Sequence, residues 1–102
     1  MSEKTIAFES LTVSSINQAR REVLDALGAG SGVLIPLDGL ESIDLSGVQL
    51  LVAAFKLAAA SGVTIGLSGE PSEAVRDRLT MIGLCESPPG SAAEIADALR
   101  AC

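Results

Sequence analysis

Few side chains of this chain are suited to chemistry. It contains no His, Tyr or Trp, which removes the usual proton shuttle near neutral pH and the commonest transition-metal ligand. No nucleophile and general base can be paired from the residues that are left, so no catalytic residue and no enzyme activity are expected. Asp38, Glu41 and Asp44 fall within seven residues, a set that could ligate a hard cation such as magnesium. No further acidic residues complete the set, so solvated loop carboxylates are the preferred reading and no metal is expected. The run Gly28-Ala29-Gly30-Ser31-Gly32 superficially resembles a dinucleotide fingerprint, but that motif follows a strand and opens a helix. Here the order is reversed. A helix stop and turn are expected instead, with no bound cofactor. Cys85 and Cys102 have neither the density of a disulfide framework nor the spacing of a zinc site.

The most informative segment is Ile43-Asp44-Leu45-Ser46-Gly47-Val48-Gln49-Leu50-Leu51, where a polar loop turns into a nearly all-apolar helix. Ser46 is placed to be the N-cap, its hydroxyl accepting from the amide of Gln49 while the Gln49 side chain reaches back. That structural role alone accounts for a serine here. A phosphate on the same hydroxyl would sit at the positive end of a helix, where it need not unfold the domain. It would add about −1.5 to −2 charges beside Asp44, and like charges meeting at an interface cost on the order of several kcal/mol. Capping alone and a phosphorylation switch both stand on these residues.

The elements that must position this loop read as an alternation of strands and helices. Thr5 to Phe8 is a short strand, with a hairpin around Glu9 and Ser10 returning through Leu11 to Val13. Ser15 and Gln18 have the form of a capping box, and Ile16, Ala19, Val23 and Leu27 then share one face of a first helix. Val33 to Leu37 is continuously apolar, as in a strand covered on both faces. A long helix from Ser46 to Ser61 has Val48, Leu51, Val52, Phe55 and Ala59 as its core stripe and stops at Gly62. Val63 to Leu67 is then a second apolar strand, and strand, helix, strand predicts parallel neighbours. Pro71 and Ser72 open a helix carrying Val75, Leu79 and Ile82, with Gly83 as its stop. After a break at Pro88-Pro89-Gly90, a final amphipathic helix carries Ala92, Ile95, Ala96 and Leu99. The fold class is α/β, a mixed central sheet of about four strands with about four helices, and residues 1–102 read as a single domain.

With these elements in place, Ile43-Asp44-Leu45-Ser46-Gly47 and the preceding strand Val33 to Leu37 resemble the STAS family of bacterial anti-anti-sigma factors. The order of elements from Val33 to Leu84, including Ala58-Ala59-Ala60-Ser61-Gly62 and Pro71-Ser72, is similar to that family as well. In it, a serine of an Asp-x-Ser-Gly loop is phosphorylated by a partner kinase that is also the anti-sigma factor, and the unmodified form binds that partner. The resemblance implies that Ser46 is the phosphorylated residue. It implies that Asp44, Leu45, Ser46, Gly47 and Gln49 form the partner-binding surface, with Gly47 letting the partner's backbone approach. Leu45 stands where the family often has a small hydroxylated residue. Pro36 falls in a strand the family places within the sheet, where its missing N–H predicts a local bulge or shortened pairing.

Composition bounds the partners. The net charge is −6, and Phe8 and Phe55 are the sole aromatic residues, which opposes phosphate backbones and supplies no stacking platform for bases, so no nucleic acid is expected. The most apolar stretch, Val48 to Ala60, contains Gln49 and Lys56 and is too short to span a bilayer. No membrane insertion and a cytoplasmic location are expected. The function that the STAS resemblance implies is a non-catalytic regulatory module, switched at Ser46 by a partner serine kinase that is also an anti-sigma factor and hence acting in transcription regulation. The alternative is a constitutive STAS subunit of a lipid-transport ATPase or a signalling assembly, with Ser46 as contact and cap only.

Overall fold

In a computed structural model, which describes residues 3–84 and 89–101, the elements run β1 (Glu3–Thr5), β2 (Ser10–Leu11), α1 (Ile16–Gly28), β3 (Gly32–Pro36), β4 (Ser42–Ile43), α2 (Leu45–Ser61), β5 (Ile65–Ser68), α3 (Glu73–Ile82) and α4 (Ala92–Arg100). The α/β class and, among the described residues, the four helices agree with the sequence. The sheet differs from the mixed one expected. Strands β1, β3 and β5 form one sheet in that order, β2 and β4 form a separate pair, and all these pairings are parallel.

The expected hairpin around Glu9 and Ser10 is not formed. Leu11 pairs with Ile43 and Ser10 with Ser42, because Leu11 and Ile43, both buried, put their side chains into the same core from two chain segments far apart in sequence. Pro36 causes no bulge. The β3–β5 register runs unbroken through Pro36↔Ser68. The amides of Val33 and Leu37 donate to Thr64 and Ser68 on the β5 side, so by strand alternation the nitrogen of Pro36 points toward β1. There the pairing has already ended at Thr5↔Leu34, and the missing N–H removes no ladder bond.

Helix ends follow local chemistry at three of the four starts. Ser72 and Ser91 cap α3 and α4 by accepting from the amides of Val75 and Glu94, and Gly62 and Gly83 end α2 and α3 in the left-handed conformation that favours glycine. Asp44 caps α2. Ser15 occupies the cap position of α1 but makes no capping bond. Its hydroxyl instead donates to the Ser10 carbonyl at 3.0 Å and accepts from the Thr12 amide at 3.2 Å, so the expected box with Gln18 is absent and the side chain ties the β2–α1 turn together.

Helix α2 is the centre of the core. Gly47, Val48, Leu50, Leu51, Ala54, Phe55 and Ala58 are buried along it, which is more than one stripe, since α1, α4 and both sheets pack around it. Ala59, expected in the stripe, is exposed. Ala92, Ile95, Ala96 and Leu99 of α4 are all buried, and the Arg100 guanidinium lies 5.4 Å from the centre of the Phe55 ring, a contact that fastens α4 to α2. Among the described residues no helix is long and apolar enough to cross a membrane.

Candidate functional site

The parallel β2–β4 pair sets the geometry of the candidate site. Because Ser10–Leu11 and Ser42–Ile43 run side by side in the same direction, the turn into α1 and the turn into α2 leave them together. The Asp44 amide donates to the Leu11 carbonyl at 3.1 Å. One oxygen of the Asp44 carboxylate, Oδ1, accepts from the Gly47 amide at 3.2 Å, and the other, Oδ2, accepts from the Val13 amide at 2.9 Å. A single carboxylate therefore caps α2 and holds the turn that precedes α1.

The cap of α2 is thus Asp44 and not Ser46. Helix α2 begins at Leu45, which makes Ser46 its second residue and Gly47 its third, the amide an N-cap side chain normally reaches. Two candidate caps lie two residues apart in the sequence. Asp44 prevails because it also satisfies the Val13 amide, a partner 31 positions away. The Asp44 carboxyl is held below its ordinary value of 3.8, chiefly by the Val13 amide; desolvation opposes this, and the Gly47 amide and the amide and hydroxyl of Ser46 add to the lowering. Bonds to the charged form extend the range in which Asp44 is ionised to lower pH.

Gly47 takes a role other than the one expected. It is buried, and a Cβ built on it would collide with the Leu11 carbonyl oxygen and lie 2.8 Å from both Ile43 Cγ1 and Leu11 Cβ. The glycine is required so that α2 can lie directly on β2, and it offers a partner little surface. Leu45 at the tip of α2 is 55% exposed and Val13, whose amide bonds Asp44, is 72% exposed; Gln49 is exposed and Ser46 is half-buried.

A cleft of about 310 Å³ runs from this tip between α1 and α2, lined by Ile16, Arg20, Leu24, Ser46, Gln49, Leu50 and Ala53. Its α1 side was not legible in the chain. Leu24 departs from the face made by Ile16, Ala19, Val23 and Leu27, which is the one signal that α1 presents a second apolar surface. The carboxylates of Asp38, Glu41 and Asp44 do not converge: Asp44 is committed to capping and Asp38 lies against Gly69. Among the described residues no group of three or more acidic, Cys or His side chains is arranged to hold a metal ion. Gly28 to Gly32 ends α1 and enters β3, as a stop and turn. Cys85, Cys102 and Pro88 lie outside the described residues.

The sequence model of the STAS domain matches residues 7–100, nearly the whole chain and all the elements of the site. The chain belongs to the STAS family. STAS domains are regulatory or protein-interaction modules of the anti-sigma factor antagonist and sulfate transporter type, and are generally non-catalytic. No curated protein is significantly similar to this STAS domain in sequence.

Proposed function

We propose that this STAS domain is a protein-binding module switched by phosphorylation of Ser46, of the anti-sigma factor antagonist kind, with a serine kinase as its partner. The observation that carries the reading is the position of the Ser46 hydroxyl. Asp44 performs the capping that would otherwise explain a serine here, which leaves Ser46 half-exposed in the first turn of α2, near enough to the Asp44 carboxylate to help lower its pKa and adjacent in the helix to the exposed Leu45, while the exposed Val13 is tied through its amide to the same carboxylate. Exposed apolar groups supply contact area for a partner. A phosphate on Ser46, at a helix N-terminus and near a fixed carboxylate, changes the charge of that contact without disturbing the core.

In this reading Asp44, Leu45, Ser46 and Gln49 meet the partner, Gly47 supports them from within, residues 1–102 act as a single cytoplasmic domain, and the chain catalyses nothing itself. A constitutive subunit of a transport or signalling assembly is the second reading. It is favoured by Leu45, whose exposed aliphatic side chain offers permanent contact area next to the serine. The test is affinity purification of the wild-type chain and Ser46→Ala from the source cells, with phosphosites and bound proteins identified by mass spectrometry. A serine kinase bound to the chain, together with phosphate on wild-type Ser46, is the expected result. A transport ATPase bound equally to both forms, with Ser46 unmodified, would replace the switch with the constitutive subunit.

A further inference from the structure

We propose that the phosphate on Ser46 is captured within the domain by Arg20 of α1, closing the cleft between α1 and α2. The proposal rests on phosphorylation of Ser46, and concerns what happens once the phosphate is there. In the modification a bond forms between Ser46 Oγ and the γ-phosphorus of a nucleoside triphosphate as the bridging P–O bond breaks. The diphosphate leaves, and the hydroxyl proton passes to a base of the kinase.

Three observations lead to Arg20. It lines the same cleft as Ser46 and, among the described residues, is the sole charged side chain that does so. It is exposed, and among the described residues it has no ion pair or side-chain hydrogen bond, the one ion pair being Arg100 with Asp97. Its position is also fixed: Asp44 ties the turn before α1 to the start of α2, so the second turn of α1, where Arg20 lies, runs alongside the first turn of α2. Close to the serine in the chain, Asp44 presents a carboxylate held in place by two amides, while Arg20 lines the cleft that Ser46 also lines. A phosphate repelled by the first is directed to the second. Guanidinium matches phosphate oxygens in paired hydrogen bonds that an ammonium does not reproduce.

Capture gives the modification a second effect besides added charge. It occupies a cleft lined by the buried Ile16 and Leu50 and withdraws the guanidinium from any external carboxylate. The regulated surface then extends from the α2 tip onto α1.

The test installs phosphoserine at position 46 by genetic encoding, so that no kinase is needed, and follows the phosphate by ³¹P NMR as a function of pH. Arg20 lowers the second pKa of the phosphate, as the α2 N-terminus does, while Asp44 raises it. Arg20→Gln is expected to raise that pKa by about 0.5 unit, a modest shift because the pair is open to solvent. Arg21→Gln removes an equal charge from the next residue, which is exposed and does not line the cleft, and is expected to leave the pKa in place. Equal shifts in the two variants, or none in either, would overturn the capture. Absence of phosphate from Ser46 in the source cells would instead remove the proposed switch, and the two failures are therefore distinct.

Discussion

Substituting Gly47 by alanine separates two accounts of this glycine by the sign of the effect. If Gly47 faced an open surface awaiting a partner, alanine would stabilise α2 by up to about 1 kcal/mol through its higher helix propensity. The structure places Leu11 and Ile43 where the methyl group must go, with the Leu11 carbonyl in direct collision and two carbon atoms at 2.8 Å. A backbone carbonyl cannot turn aside as a flexible side chain does, so α2 must move off β2 or β2 must shift. Overpacking typically costs about 1–3 kcal/mol, and a collision with a backbone carbonyl belongs in the upper part of that range, about 2–3 kcal/mol, so that after subtracting about 1 kcal/mol of propensity a net loss of about 1–2 kcal/mol is expected. For a domain of this size each kcal/mol moves Tm by about 4–8 °C, which places the expected fall between about 4 and 16 °C. Thermal unfolding by circular dichroism measures it. Gly28→Ala is the control, since nothing lies within 4 Å of a Cβ at Gly28 in the last position of α1, and it should be neutral or slightly stabilising. A Gly47→Ala protein as stable as the wild type would refute the packing role.

Three further expectations follow from particular residues. Pro36→Ala should destabilise by about 0.4–1 kcal/mol, because the ring removes no ladder bond and its loss only loosens the unfolded chain; a gain in urea midpoint would mean that proline does break the sheet. Leu99→Ala, which empties a fully buried position of α4, should cost about 2–5 kcal/mol in urea unfolding, and a loss under 1 kcal/mol would show that α4 is not part of the cooperative core. Asp44 is held below 3.8 in the folded chain, so its contribution is present above the unfolded-state value and is lost as pH falls through the lower folded value. Asp44→Asn should therefore lose less stability than wild type between pH 5 and pH 3, and parallel losses would contradict the bonded carboxylate.

What could be read from the chain was whatever local chemistry determines. The face of α4 and the limits of α3, between Ser72 and Gly83, follow from periodicity and caps that lie within one element. The parallel strands around α2 follow from two apolar runs separated by a helix. The start of α2 was misplaced by two residues because both Asp44 and Ser46 are competent caps, and Gln49 three residues after Ser46 completes a box on paper. What decides between them is the Val13 amide, brought near by β2–β4 pairing that spans about thirty residues of sequence. The same long-range pairing is why Ser10–Leu11 looked like half of a hairpin. It is also why Gly47 seemed to await a partner, since the Leu11 backbone that covers it is distant in the chain. The loop that carries the candidate site was found from its residues, whereas Arg20 and Leu24 across the cleft become visible only once α1 and α2 lie side by side.

The central claim is that phosphate on Ser46 controls binding, and it is tested most directly by titration calorimetry of the captured partner with unmodified chain and with chain carrying phosphoserine at position 46. The account predicts binding at least about tenfold weaker for the phosphorylated chain, equivalent to about 1.4 kcal/mol. Equal affinity for the two forms would contradict it and leave Ser46 as a contact residue of a constitutive subunit.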